Sequence, residues 1–269
     1  MAIKVCVAGA TGWVGQVLVR EIVKSSEFKL SGAIARNSVG QDIGTVLGRE
    51  PAGVIVSGTL IEALLQPTDV VVDYTSPGSV KGRTLEALDR GVSVVIGTSG
   101  LTASDYHEID ETARRNELGV IAAGNFSITA ALAKHFALFA ARYLPSWEII
   151  DYAHADKPDA PSGTTCELAE ELASIAQNQI EVPIAQTHGN PQARGATISG
   201  TQVHSVRLPS FVIAFETIFG LPDERLTIRH DAGSGAKPYV GGTLMAVQKV
   251  MTTRGPVRGL DRLLFGDEA

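Results

Sequence analysis

The stretch His154 to Thr165, HADKPDAPSGTT, gathers a histidine, a lysine, aspartates, a serine and threonines between a run that reads as a strand, EIIDYA, and one that reads as a helix, CELAEELASIA. At the start of a helix, free N–H groups and the helix dipole favour an anion. Ser162, Gly163 and Thr164 stand at that start, with hydroxyls to donate and a glycine that lets a ligand approach the backbone. Lys157 adds a charge and a proton donor, and His154 a second donor. Such a set can hold a carboxylate and protonate a carbon or nitrogen during a reduction. The plainer reading is a helix cap, with Ser162 or Thr164 capping and Asp159 and Pro161 shaping the turn. Capping alone gives no reason for Lys157 and His154.

A second chemical signal lies near the N-terminus. VAGATGWVG places Gly9, Gly12 and Gly15 between an apolar strand and an amphipathic helix, which is the context a pyrophosphate site needs. The alternative is a glycine turn that only packs helix on strand. The end of the second strand reads AIARNS, with Ala35 where an acid would bind the ribose 2′-hydroxyl of NAD. Arg36, Asn37 and Ser38 follow, a guanidinium and two small donors suited to a 2′-phosphate. NADPH is therefore expected over NADH, with NADH as the alternative and a merely solvated Arg36 as the plain reading. Further turns end later strands: YTSP at Tyr74 to Pro77, GTSG at Gly97 to Gly100, and GNFS at Gly124 to Ser127. Ligands of open α/β sheets bind outside such strand ends.

These residues need elements to hold them. Up to Asn125, apolar strands alternate with helices: IKVCVAG, a helix from Gly12, FKLSGAIA, a polar loop, TDVVVDYT, a helix, VSVVIGTSG, a helix, and LGVIAAGN. That pattern implies an α/β fold, a Rossmann doubly wound parallel sheet covered on both faces. After a helix over SITAALAKHFALFAARYL the pattern changes. Beyond SWEIIDYAHA and its helix, ATISGTQVHSVRL, FVIAFETIFG and ERLTIRHDA come as successive strands. They imply a C-terminal α+β domain with an open mixed sheet. GGTLMAVQKVMTT reads as a last helix returning to the first domain. The expected division is residues 1–124 with 236–269 for the dinucleotide and residues 125–235 for the substrate.

Composition narrows the partners. Lys and Arg number 23 against 29 Asp and Glu, a net charge of −6, which argues against nucleic acid as the main partner. Cys6 and Cys166 lie far apart with no metal-like spacing, so no metal site is expected. No apolar run reaches a membrane span and MAIKVCVAGATG shows no leader, so a cytoplasmic location is expected.

EIIDYAHADKPDAPSGTT resembles the signature of the dihydrodipicolinate (4-hydroxy-tetrahydrodipicolinate) reductase family of lysine and diaminopimelate synthesis. VAGATGWVG, YTSP, VVIGTSG, GNFS, VHSVRLP and LTIRHDA match it in order, so the resemblance covers nearly the whole chain. It implies NADPH or NADH as hydride donor, a cyclic unsaturated imine dicarboxylate as substrate, hinge closure, and a homotetramer formed by the second domain. It implies substrate contacts from His154, Lys157, Ser162, Gly163 and Thr164, with Lys157 and His154 catalytic. Cofactor contacts are implied from Gly9, Thr11, Gly12, Trp13, Val14 and Gly15, and from Arg36, Asn37 and Ser38. Tyr74, Thr75, Gly97, Thr98, Gly124, Asn125 and Phe126 complete that set.

The chain departs from the family at Ala153, which stands where the first of two motif histidines donates a proton. Trp13 replaces a basic residue, and HDAGSGAKPY lacks the usual arginine. Three readings remain: a reductase of this family; a paralogue acting on another small anionic imine or carbonyl compound; and an NADPH-binding regulatory protein without turnover.

Overall fold

The computed structural model describes residues 1–266. The chain divides into two compact units, Met1–Ile128 with Ala236–Leu264, and Thr129–Gly235 with the segment from Phe265.

In the first unit, β1 (Ile3–Ala8), α1 (Gly15–Lys24), β2 (Phe28–Ile34), α2 (Ile43–Val46), β3 (Val56–Ser57), α3 (Leu60–Ala63), β4 (Val70–Asp73), α4 (Pro77–Asp89), β5 (Ser93–Ile96), α5 (Ala103–Arg115) and β6 (Gly119–Ala122) follow in order. Strands β4, β5 and β6 are buried along their whole length. This is why they read as unbroken apolar runs: a parallel sheet is covered on both faces. The loop after β2, expected to be irregular, contains α2, capped by Asp42. Its carboxylate accepts from the N–H groups of Gly44, Ala52 and Val54 at 2.8, 2.9 and 3.2 Å. Helix α3 starts at a Thr59–Glu62 capping box that sequence reasoning passed over, whereas strand β3 carries no signal in the sequence pattern. Two residues make too short a strand to show one.

The second unit opens with α6 (Ile128–Ala140), β7 (Ser146–Ala153) and α7 (Gly163–Ile175), and continues through two 3-10 turns to β8 (Ala196–Ile198), β9 (Thr201–Arg207), β10 (Ile213–Leu221) and β11 (Glu224–Ala232). The sheet order is β11-β10-β7-β9-β8, mixed because β7 and β9 are parallel and the other neighbours antiparallel. Along β7 buried and part-exposed residues alternate, with Trp147, Ile149, Asp151 and Ala153 inward. Trp147 and Ile149 join Ala133, Ala137, Leu138, Leu168, Leu172, Phe215 and Phe219 in one apolar core under α6 and α7. The segment expected as a single strand over 196–208 is a hairpin. Ser199 and Gly200 take φ of 46° and 80°, the two-residue turn that reverses a chain tightly.

The chain then re-enters the first unit with α8 (Lys237–Val250), β12 (Gly255–Arg258) and α9 (Leu260–Phe265). The helix over 241–253 is therefore not the last element. Strand β12 pairs parallel with β6 and completes a seven-stranded sheet in the order β12-β6-β5-β4-β1-β2-β3. Strand order reverses between β1 and β4, so the switch point falls where Gly9 and Tyr74 follow those strands.

Candidate active site

At that switch point the glycine loop is fixed by its neighbours. Gly9 has φ +83°, and a Cβ there would lie 2.1 Å from the Tyr74 carbonyl oxygen. A Cβ on Gly15 would lie 2.0 Å from the Gly9 oxygen. The loop and α1 therefore approach more closely than any side chain allows. The Gly12 N–H donates to the Gly9 carbonyl at 2.9 Å. The N–H groups of Trp13, Val14 and Gly15 donate to no other group among the described residues, so they stand ready at the N-terminus of α1. The residues present fit a dinucleotide pyrophosphate. The Trp13 ring is exposed and meets the Tyr239 ring edge-on at 5.5 Å. Ala35 is buried, whereas Arg36 and Asn37 are exposed, and Ser38 turns the chain with φ 64°.

The turns after β4 and β5 are bound together by Asp73, a residue that sequence reasoning missed. Its carboxylate is buried and accepts from the Thr75 hydroxyl at 2.6 Å, the Thr98 hydroxyl at 2.7 Å and Arg83 Nη1 at 2.5 Å. The Thr75 N–H donates to Thr98 Oγ1 at 2.7 Å. The hydroxyls of Thr75 and Thr98 thus serve the protein itself. The Tyr74 hydroxyl shares a 2.6 Å hydrogen bond with Thr243, and burial raises its pKa. A Cβ on Gly97 would lie 2.2 Å from the Tyr74 ring. Phe126 is buried with its ring edge-on to Tyr74 at 6.2 Å, Asn125 accepts from the Ser127 N–H at 2.8 Å, and Gly124 is exposed. Cys6 is inert, since burial pushes its thiol up to about 12.

In the second unit the loop from His154 to Pro161 joins β7 to α7 and contains a cis Ala160–Pro161 bond. Asp151 lies wholly buried beneath it. Its carboxylate accepts from the Ser162 N–H at 3.0 Å, the Ser162 hydroxyl at 2.7 Å, the Thr165 hydroxyl at 3.0 Å and Arg207 Nη2 at 2.6 Å. Burial pushes the Asp151 carboxyl up, but the donors from Ser162 and Arg207 outweigh it and hold the carboxyl below its ordinary value. Ser162 is therefore neither a side-chain cap nor a free hydroxyl donor. What α7 leaves open are the N–H groups of Gly163 and Thr164, which donate to no other group among the described residues. Gly163 is exposed and nothing lies near where its Cβ would be.

Lys157 Nζ pairs with the Asp159 carboxylate, which that ammonium holds below its ordinary pKa. His154, about half exposed, shares a 2.6 Å hydrogen bond from Nδ1 to Asp156. The Lys157 N–H donates to the His154 carbonyl at 3.1 Å, which brings both candidate donors onto one turn. Tyr152 lies on the face of β7 opposite Asp151 and Ala153, where its hydroxyl meets Glu216 at 3.4 Å and Arg229 lies 4.8 Å over its ring. Ala153 is fully buried. Sequence reasoning missed Asp151 and Arg207. An acid at an inward position of an alternating strand was the signal for the first, and the arginine of VHSVRLP for the second.

Among the described residues no helix is long and apolar enough to cross a membrane and no cluster of metal-ligating side chains occurs. Residues 3–126 match the family model for the N-terminus of dihydrodipicolinate reductase and residues 126–264 that for its C-terminus. The 4-hydroxy-tetrahydrodipicolinate reductase of Moorella thermoacetica is 40% identical over 264 residues, covering 97% of this chain and 98% of the relative. That of Synechococcus elongatus is 37% identical over 271 residues, with 97% and 98% covered. A dipicolinate-bound dihydrodipicolinate reductase from Paenisporosarcina sp. TG-14 superposes with a TM-score of 0.84 at 31% identity, covering 98% of this chain and 100% of that one. An amine dehydrogenase from Mycobacterium smegmatis, 16% identical with a TM-score of 0.70 over 97% and 96% of the two chains, shares the fold. With adjoining models covering both units and relatives of matching length, the chain belongs to the dihydrodipicolinate reductase family of NAD(P)H-dependent oxidoreductases.

Proposed function

We propose that this chain reduces 4-hydroxy-tetrahydrodipicolinate, with NADPH preferred over NADH. The observation that carries the reading is the turn at the start of α7, where open N–H groups of Gly163 and Thr164 share one short loop with Lys157 and His154. A cyclic imine dicarboxylate offers two anionic groups. The N-terminus of α7 suits one, through N–H donors and the helix dipole. Lys157 suits the other by exchanging Asp159 for the substrate carboxylate.

When bound, NAD(P)H supplies a hydride from nicotinamide C4. The glycine loop and the free N–H groups of Trp13, Val14 and Gly15 hold the pyrophosphate. Arg36, with Asn37 and Ser38 beside it, takes the 2′-phosphate, and this supports NADPH. The turns tied by Asp73 would offer Gly97 and Thr98 to the nicotinamide half, and the turn after β6 would offer Gly124. Lys157 delivers the proton to the reduced centre. His154, with Nδ1–H donated to Asp156, keeps Nε2 to hold a water as the second donor. The second unit also carries the contacts of a homotetramer, which light scattering measures.

A second reading, a paralogue that reduces another small anionic imine or carbonyl compound, is favoured by one residue. Ala153 has no proton to give where the family carries a histidine. Oxidation of NADPH with freshly generated 4-hydroxy-tetrahydrodipicolinate, beside a panel of cyclic imines, separates the two. Turnover that is fast on the first compound and slow on the panel supports the reductase. The reverse order supports the paralogue, and NADPH binding without turnover on any of them defeats both.

A further inference from the structure

We propose that Arg207 and Asp151 are positioning residues of the substrate loop, an ion pair that shapes and electrostatically neutralises the anion cradle without touching the substrate. This rests on the substrate reading above and deepens it. Arg207 ends β9, and its guanidinium is largely buried. Nη2 donates to Asp151 Oδ2 at 2.6 Å and to the Asp159 carbonyl at 2.6 Å. Nη1 donates to the carbonyls of Val206 at 3.0 Å and Asp151 at 3.3 Å. Nε is buried without a partner among the described residues. Both Nη atoms are therefore used within the protein, and Nε is buried.

The contacts of this pair fall on both halves of the working loop. On one side, the Asp159 carbonyl belongs to the residue whose carboxylate holds Lys157. On the other, Asp151 takes the N–H and the hydroxyl of Ser162, the residue before Gly163 and Thr164. One guanidinium thus fixes the distance between the lysine and the helix start. A guanidinium does this where an ammonium cannot, because its two Nη atoms meet four acceptors in one fixed plane, more than the three donors of an ammonium.

Charge gives the second part of the argument. The Asp151 carboxylate accepts the N–H of Ser162, the residue next to the N–H groups that are to receive a substrate carboxylate. An unpaired buried carboxylate there would repel the incoming anion and cancel the helix dipole. Arg207 neutralises it, and the donors from Ser162 and Thr165 satisfy its remaining lone pairs. The pair therefore leaves the dipole of α7 free to act on the ligand.

Dipicolinate is a stable dicarboxylate probe, and its affinity for the full-length protein can be read by calorimetry beside that of NADPH. Arg207→Ala is expected to weaken dipicolinate about 10- to 100-fold, the scale of a small misplacement of binding groups, and to leave NADPH affinity unchanged. Millimolar guanidinium should restore part of the lost dipicolinate affinity. Arg207→Lys covers the case in which the alanine variant does not fold. It keeps a cation on Asp151 but loses the fork, and is expected to weaken dipicolinate about 10-fold. Parent-like dipicolinate affinity in a folded variant overturns the proposal, as does an equal loss of dipicolinate and NADPH affinity. A parent that binds dipicolinate but does not turn over 4-hydroxy-tetrahydrodipicolinate overturns the substrate reading alone. A parent that binds no dipicolinate overturns both.

Discussion

The Thr98 hydroxyl donates to the Asp73 carboxylate across 2.7 Å and accepts from the Thr75 N–H at 2.7 Å, and so ties the turn after β5 to the turn after β4. Arg83 reaches back from α4 to the same carboxylate. The two strand ends are thus fixed to each other by a buried charge as well as by the Gly97 N–H, which donates to the Asp73 carbonyl at 2.9 Å.

Thr98→Val keeps the shape of the side chain and removes the donor. Asp73 then loses one of its buried hydrogen bonds, at a cost of about 1–3 kcal/mol. Chemical denaturation should show that loss, and NAD(P)H titration a weaker affinity. Unchanged values for both would mean that the tie is idle.

Arg36→Ala should weaken NADPH selectively, because a hydrogen bond to a charged group contributes about 1.5–3 kcal/mol. NADH affinity should stay level. Titration of parent and variant with both cofactors decides this, and equal affinities in the parent would remove the basis for an NADPH preference.

Lys157→Ala should lower kcat/KM on the true substrate by about 10²–10⁴, the usual contribution of a general acid, with NADPH binding intact. Ala153→His is a harder substitution than its position in the motif suggests. Ala153 is fully buried, so an imidazole there has to displace its neighbours. Overpacking of this kind costs about 1–3 kcal/mol. The variant should melt at a lower temperature than the parent even where it gains activity on 4-hydroxy-tetrahydrodipicolinate.

His230 links stability to pH. Burial lowers its pKa below the ordinary 6.5, with the Asp231 charge opposing this weakly. The unfolded chain therefore takes up a proton that the folded one refuses as pH falls below 6.5. The His230 contribution is complete above that pH and is lost as pH falls from there through the folded pKa. Melting temperatures from about pH 7.5 downward should decline less in His230→Asn than in the parent. Parallel curves would show that another group sets the slope.

The sequence disclosed most where one residue type has one physical use. Val70, Val71 and Val72 read as a buried parallel strand because little else tolerates such a run. Gly9 and Gly15 read as a phosphate loop because of the helix that follows them. The Ser199–Gly200 turn was concealed inside an apolar alternation, since a hairpin keeps the same period on both arms. Strand β12, GPVR, has no pattern of its own and becomes a strand only by pairing with β6. At the candidate site, the types His154, Lys157 and Gly163 were visible by composition alone. The use of the Ser162 hydroxyl was not, because it is decided by Asp151, and Asp151 in turn by Arg207, 56 positions along the chain.

The return of the chain to its first unit bears on the order in which the protein is made. The edge strand β12 and the covering helix α8 leave the ribosome only after the whole stretch Thr129–Gly235. At synthesis rates of about 5–20 residues per second, the β6 edge stays unpaired for several seconds after it emerges. The unit begun first is thus finished last, and the nascent chain carries an open sheet edge that a chaperone or a neighbouring nascent chain can reach.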